Sequence, residues 1–253
     1  MRNAPGFRLL GWSAWTPGAE TREAWLAWAK NPAGEIGGDL AEPAAAPARS
    51  IPAMLRRRAD LSGRAALHVM TDENLRYTGQ SVILASRIGE FSRAFALLRE
   101  LARVGQVSPQ QFSMAVHHAS GGLFMMCQKA RAPLTAVSAQ EETALSGLLE
   151  AQIQIAEGES SVWLVCCDEP LPAEYRVLSA RPDANTAYFA CVLELAEGKD
   201  FSLVSEDIPA RCSGRATALD VLSFFLAPRA DPLYLSRRGG WALCRTSSGE
   251  PSC

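Results

Sequence analysis

The chain has 253 residues, a formal net charge of −2 and an isoelectric point of about 6.0, and its length allows one large core. Its near-neutral charge argues against nucleic acid as a partner, and no apolar run is long enough to predict a membrane span. The N-terminal stretch MRNAPGFRLLGWSAW has too short and too aromatic an apolar run to predict a secretory signal.

The cysteines and histidines further limit the function classes. The seven cysteines, an odd number without CxxC spacing, predict reduced thiols and a cytoplasmic location. None of the three histidines, His68, His117 and His118, sits near a cysteine pair. The sequence therefore predicts neither a metal site nor a cofactor.

Up to residue 104, the hydrophobic pattern alternates between strand-like and helix-like segments. In chain order it predicts a strand at 7–15, a helix at 21–30, a surface loop at 37–50, a helix at 51–75, a buried strand beginning at 81 and a helix at 91–104. Thr21 is expected to open the first helix, and Gly89 to turn the chain after the buried strand. The last helix is expected to carry Phe95, Leu98 and Leu101 on one face.

The remainder of the chain continues this alternation. It predicts a helix at 109–126, a short strand at 135–139, a helix from 141, strands at 161–167 and 187–198, a helix at 218–227 and an aromatic-containing segment at 240–245. The strand at 161–167 lacks alternation, which predicts burial on both faces. The pattern indicates an α/β sheet layered with helices in a single domain over 1–253, with residues 199–253 as a less certain C-terminal extension.

The corner after the strand at 135–139 carries an unexpected residue. Many α/β enzymes place a nucleophile at such a corner, because the strand end fixes it and the helix N-terminus favours developing negative charge. Here the corner holds Gln140, followed by Glu141 and Glu142. Two carboxylates suit the helix dipole but would raise the pKa of any thiol at the corner. Gln140 is either the remnant of a functional corner or a polar helix cap.

Several segments, taken in order, resemble a known family. They are WSAWTPG, WLAWAK, IPAMLRRR, LSGRAAL, ILASRIGEF, SPQQFSMAVHHASGGLF and EGESSVWLVCCDEPLPAEY. Together they resemble the first half of a β-ketoacyl synthase of the thiolase fold, and more specifically the short ketosynthase-like chain-length factors of aryl polyene biosynthesis. The resemblance implies an α/β, thiolase-like layered fold that forms the N-terminal half of a ketosynthase with a short C-terminal extension.

The resemblance also implies a function for the corner. Gln140 stands where active ketosynthases carry the nucleophilic cysteine, and chain-length factors of type II polyketide synthases are similar in carrying glutamine there. Ketosynthases further need two histidines from the second half of the fold, and this chain has none after His118. The implied protein is a non-catalytic subunit. It would pair with a full-length active ketosynthase and help shape the tunnel for the growing polyene chain.

Three groups of residues follow from this resemblance as candidates. In thiolase-fold dimers one strand pairs edge to edge with its equivalent, and here that strand is 132–138, with Pro133, Leu134, Thr135, Ala136 and Val137. Candidates for the tunnel or the interface lie in the helix at 109–126, namely Phe112, Met114, His117, His118, Leu123 and Phe124. The basic run of Arg56, Arg57 and Arg58 is a candidate contact for an acidic acyl carrier protein.

For each group a plainer interpretation stays open. An apolar stripe at helical spacing is usually core, either histidine could be structural, and the arginines could face solvent. Cys166 and Cys167 would serve an enzyme active by itself, but apolar surroundings and nearby carboxylates raise thiol pKa values, which favours packing. A decarboxylase assisted by Gln140 and a purely structural scaffold of the ketosynthase are the remaining alternatives.

Overall fold

The computed structural model describes residues 6–32, 36, 44–176, 188–205, 216–228, 231–236 and 240–246. In these ranges the strands are β1 (Gly6–Trp15), β2 (Ser81–Ala85), β3 (Leu134–Val137), β4 (Val162–Asp168), β5 (Phe189–Gly198), β6 (Phe201–Ser205), β7 (Leu233–Ser236) and β8 (Trp241–Arg245). The helices are α1 (Arg22–Lys30), α2 (Ala53–Arg56), α3 (Leu61–Met70), α4 (Phe91–Val104), α5 (Pro109–Phe112), α6 (Ala119–Gln128), α7 (Thr143–Ala156), α8 (Ala173–Arg176) and α9 (Ala218–Leu226), with a 3-10 turn at Gln140–Glu142.

All the described strands join one mixed sheet in the order β3-β2-β4-β5-β1-β6-β8-β7. β2 pairs in parallel with both β3 and β4, whereas the strands from β5 onward pair antiparallel with their neighbours. The predicted α/β fold is therefore confirmed. The pattern did not predict β6 and β7, which extend the sheet beyond β1.

Helices cover both faces of this sheet. On one face, Leu148 of α7 packs in a core that also contains Trp25 of α1 and Phe224 of α9. On the other face, Leu67 of α3 and Phe124 of α6 pack in a second core. Strand residues alternate between the two cores, so β4 is buried from both sides, as its continuous apolar sequence predicted.

Local chemistry explains where several elements begin. The Thr21 side chain accepts a hydrogen bond from the Ala24 amide over 3.2 Å, which confirms it as the cap of α1. Gly89 has φ +58°, so the predicted turn after β2 uses a left-handed conformation that favours glycine. In the predicted helix at 51–75, Asp60 accepts from the Gly63 amide over 2.8 Å and starts α3 as a new helix. The segment is therefore two helices.

The predicted helix at 109–126 is also interrupted, between the end of α5 at Phe112 and the start of α6 at Ala119. A ring nitrogen of His117 lies 2.8 Å from the Ser86 carbonyl oxygen, and the same ring lies against Gly89. This contact with the turn after β2 holds residue 117 outside either helix. α6 packs closely on β3 at Gly121, where an added Cβ would lie 2.8 Å from the Leu134 side chain.

Of the predicted surface loop, residues 37–43 lie outside the described part of the chain. Residues 44–50 contain no helix or strand and are mostly exposed, although Ala46 and Ala48 are buried against the second core. The expectation that the cysteines are reduced needs correction. Cys127, Cys166, Cys167 and Cys191 are free thiols, but Cys244 is disulfide-bonded. Sequence spacing could not show this, because a disulfide depends on which side chains the fold brings within bonding distance.

In the ranges that the structure describes, no helix combines the length and the apolar character needed to cross a membrane. The same ranges contain no group of three or more histidine, cysteine or acidic side chains arranged to hold a metal ion.

Candidate functional site

The corner at Gln140 lies where β3 ends, beside the carboxyl ends of β2 and β4. Gln140 is exposed and has φ +52°, a conformation that costs free energy for any residue other than glycine. Strained backbone at an exposed strand-to-helix corner is typical of functional positions. The corner therefore presents an amide side chain from a strained backbone position.

Thr143 holds the backbone of this corner. Its hydroxyl group accepts a hydrogen bond from the Ala139 amide over 3.0 Å and donates one to the Gln140 carbonyl oxygen over 2.7 Å. The hydroxyl therefore bridges the two sides of the strained residue. Glu142 adds a contact from the other side, because its carboxylate accepts a hydrogen bond from the Ser236 hydroxyl.

An ion pair is connected to the corner through Ser138. Ser138 donates from its hydroxyl to the Arg87 carbonyl oxygen over 2.9 Å. Arg87 in turn donates to Asp168 from its backbone amide over 2.9 Å and from Nε over 3.0 Å. Burial raises the pKa of Asp168, and the Arg87 guanidinium partly opposes that shift. These contacts join residues at or just after the ends of the neighbouring strands β3, β2 and β4 in one network.

The two thiols considered as substitute nucleophiles lie inside β4. Cys166 and Cys167 are buried. The pKa of Cys166 is raised well above its ordinary value by its contact with Cys191 and by burial. Burial, followed by the charge of Asp168, raises the pKa of Cys167 in the same way. A reactive cysteine needs the opposite environment, so the geometry favours packing roles for both.

The tunnel candidates fall into two groups. Phe112 and His118 are exposed, while Met114 and His117 are half-buried. Leu123 and Phe124 are buried in the second core, where the Phe124 ring contacts Tyr77 and Trp163. Leu123 and Phe124 therefore pack in the core of this chain. Only the other four candidates have side chains at its surface.

The remaining candidates occupy surfaces. β3, the expected pairing strand, is a terminal strand of the sheet, and Pro133 and Ala136 are exposed. Of the basic run, Arg57 is exposed, whereas Arg56 and Arg58 are half-buried. Arg56 donates to the Ala48 carbonyl oxygen over 3.2 Å, so it has a structural role in its own chain.

Sequence reasoning missed the residues that support the corner. Ser138 and Thr143 lie within a few positions of Gln140, and their hydroxyl groups beside a strand end were a usable signal. Arg87 and Asp168 lie far away in sequence, and no local pattern connects them to position 140.

The fold is an α/β sheet with helices on both faces, and its exposed, strained corner carries Gln140. The model of the beta-ketoacyl synthase N-terminal domain matches residues 25–222. The chain therefore belongs to the β-ketoacyl synthase family.

Solved structures agree with this assignment. A chain of the ketosynthase ApeO in complex with its chain length factor ApeC from Xenorhabdus doucetiae matches with 26% identity and a TM-score of 0.73, over 95% of this chain and 99% of the matched one. The ishigamide ketosynthase/chain length factor matches with 14% identity and a TM-score of 0.61, over 79% and 66% of the two chains.

A chain from the complex of a type II polyketide synthase acyl carrier protein with its ketosynthase matches with 13% identity and a TM-score of 0.57. The match covers 80% of this chain and 70% of the matched one. At this identity, as for the ishigamide protein, the likeness concerns the fold alone. No curated protein matches the sequence significantly.

Proposed function

We propose that this chain is a non-catalytic, chain-length-factor-like subunit that forms a heterodimer with an active ketosynthase and helps shape the acyl tunnel in aryl polyene biosynthesis. The observation that carries the proposal is Gln140, which occupies the exposed, strained corner of a ketosynthase-type fold. An amide there cannot attack a thioester, because its nitrogen lone pair is delocalised and its oxygen is a weak nucleophile.

The surroundings of Gln140 favour the same conclusion. The network behind the corner consists of hydroxyl groups, backbone groups and the Arg87–Asp168 ion pair, and it supplies rigidity. The cysteines of β4 are buried. In the described part of the chain, neither half-buried His117 nor exposed His118 makes a hydrogen bond to the corner.

The open edge of β3 is an argument for a partner subunit. Pro133 and Val137 use their carbonyl oxygens to accept from Val82 and Ser86 of the β2 side, over 3.0 and 3.1 Å. Because hydrogen-bonding direction alternates along a strand, the backbone groups of Leu134 and Ala136 point to the open edge. An uncovered edge of this kind is ready to accept another strand.

The helices on both sides of β3 add apolar surface to this edge. α6 packs on the strand at Gly121, and α7 reaches it through Gln154, whose side chain lies 3.4 Å from the Thr135 hydroxyl. Each helix also exposes one large apolar side chain, Met126 and Ile153 respectively. These features fit an interface in which strand pairing is flanked by apolar contacts.

Similarity to the ApeO–ApeC complex supports a ketosynthase as the partner. The match extends over 99% of one chain of that complex. Within the proposal, Phe112, Met114 and His118 are the side chains available to reach a tunnel of the partner. Arg57 is the exposed member of the basic run that could meet an acidic carrier protein.

Co-expression with the full-length ketosynthase of the same gene cluster tests the proposal. We expect a 1:1 complex by light scattering, and condensation of malonyl and acyl units by the complex but not by this chain alone. A soluble monomer that ignores the ketosynthase, or steady condensation by the isolated chain, would refute it. A complex whose product length ignores every exposed tunnel candidate would favour the scaffold alternative.

A further inference from the structure

Three carboxyl groups meet at the start of α4, and each comes from a different part of the chain. Asp60 precedes α3, Glu90 precedes α4, and Glu169 follows β4. Glu90 and Glu169 are 7% and 1% exposed, so both lie away from solvent. Glu169 accepts a hydrogen bond from the Ser92 amide over 2.6 Å, and Asp60 accepts one from the Gly63 amide. Two of the three carboxylates therefore cap the starts of two helices.

Asp60 and Glu90 face each other directly. Gly63 lies beside both, since a Cβ at this residue would be 3.2 Å from Asp60 Oδ1 and 3.3 Å from Glu90 Oε1. Asp60 Oδ2 and Glu90 Oε2 are buried and have no hydrogen-bond partner among the described residues. Two neighbouring carboxylates that are both ionised and both shielded from water repel each other, so the pair requires a bound proton.

The neighbouring charges do not remove this requirement. Arg93 is the cation nearest to Glu90, but its Nε lies 3.7 Å from Glu90 Oε2 and its Nη2 donates to the Arg58 carbonyl oxygen over 2.9 Å. Acidic groups also lie near the cluster, on or after β4 or just before β5, namely Cys167, Asp168, Glu169 and Tyr188. The His117 ring lies against Gly89, directly before Glu90.

We propose that Asp60 and Glu90 share one proton, and that this acid–carboxylate pair is a pH-sensitive latch between the starts of α3 and α4. Glu90 is the member that holds the proton, because burial and then Asp60 raise its pKa to about 10. Burial raises the pKa of Glu169 to about 7, so this cap gains charge at lower pH than Glu90 does. Loss of the shared proton would leave carboxylates in contact and push the two helix starts apart.

The latch lies next to the turn that supports the Gln140 corner. Glu90 follows Gly89 directly, and the same turn holds the carbonyl oxygens of Ser86 and Arg87 that bind His117 and Ser138. Opening at the start of α4 would therefore loosen this turn. The inference goes beyond the proposed function and does not depend on it, because it concerns the fold of this chain alone.

Urea unfolding of the full chain at several pH values between 6 and 9 tests the latch. Because the folded state retains a proton that the unfolded state has lost, the pair makes the folding equilibrium constant fall about tenfold for each pH unit. Glu90→Gln keeps a donor toward Asp60 but has no titrating proton. Its folding equilibrium constant should therefore lack this tenfold fall for each pH unit. Glu100→Gln on α4 is the matched control and should keep the slope of the unmodified chain.

Hydrogen exchange of the amides at the starts of α3 and α4 provides a second measurement. With intrinsic exchange corrected for pH, protection there should fall between pH 6 and 9 in the unmodified chain and fall less in Glu90→Gln, where Glu169 still titrates. If that variant does not fold, Asp60→Asn is expected to reduce the fall in protection, because it removes the charge of Asp60 and its amide can donate to Glu90, while the burial of Glu90 remains. Equal slopes for Glu90→Gln and Glu100→Gln, or protection independent of pH in the unmodified chain, would overturn the proposal.

Discussion

The Ser138 hydroxyl donates a hydrogen bond over 2.9 Å to the carbonyl oxygen of Arg87, a residue 51 positions away in sequence. This bond ties the Gln140 corner to the turn after β2, and the Arg87–Asp168 ion pair ties that turn to the end of β4. The corner is therefore held on both sides.

Restoring a cysteine at the corner is expected not to restore catalysis. In Gln140→Cys, the carboxylates of Glu141 and Glu142 disfavour the thiolate, and this chain offers no histidine after His118 to assist decarboxylation. A condensation assay on the isolated variant should stay at background, with Gln140→Ala as control. Turnover above that of the alanine variant would contradict the prediction.

The open edge of β3 should be essential for pairing with the ketosynthase. Ala136→Pro removes a backbone N–H that points away from β2, and proline is tolerated on an edge strand. We expect the variant to fold and to lose the heterodimer in size-exclusion chromatography with light scattering. Ala136→Val keeps the N–H and should pair normally. A proline variant that still forms the complex would show that β3 is not the pairing strand.

Shortening an exposed or half-buried tunnel candidate should lengthen the product. A growing chain gains roughly 0.8 kcal/mol for each buried CH₂ group until it meets a wall, where overpacking costs about 1–3 kcal/mol. Alanine at Phe112, Met114 or His118, one at a time in a stable heterodimer, should move the polyene absorption to longer wavelength. Unchanged absorption spectra for all three variants would show that this segment does not set the chain length of the product.

The buried members of the same segment should behave differently. Leu123 and Phe124 are 2% and 0% exposed and pack in the core of this chain. Leu123→Ala and Phe124→Ala should therefore lower the free energy of unfolding by about 2–5 kcal/mol, measured by urea denaturation. Full stability combined with longer products would instead place these side chains at a tunnel wall.

The Arg87–Asp168 pair should make stability depend on pH when it is broken. Arg87→Met leaves a carboxylate with little access to water, which costs about 3 kcal/mol near neutral pH. Burial already raises the pKa of Asp168, and loss of the arginine raises it further. A raised carboxyl pKa means that stability falls as pH rises, so the variant should lose more at pH 8 than at pH 5.

Urea denaturation of Arg87→Met at these two pH values measures the effect. Adding Asp168→Asn removes the titrating group and should abolish the extra loss at pH 8. The prediction fails if the single and double variants depend on pH to the same extent.

The amino-acid sequence by itself determined the features that depend on neighbours along the chain. The continuous apolar run predicted the fully buried β4, Thr21 predicted the start of α1, and the residues around Gln140 predicted a strand-to-helix corner. Each depends on local backbone preference or on side-chain chemistry at one position, so no knowledge of distant contacts was needed.

Only the tertiary structure decided which groups meet and which faces are covered. The contact of His117 with Gly89 and Ser86 divides a segment whose pattern predicted one helix. α4 has the apolar pattern of a core helix, yet Leu98 and Leu101 are exposed and only Leu97 is buried. Asp60, Glu90 and Glu169 form a cluster from three separate segments. Periodicity shows that a face is apolar and composition shows that a group can ionise. What each of them contacts depends on chain topology, which brings distant residues together and sets their burial and charge.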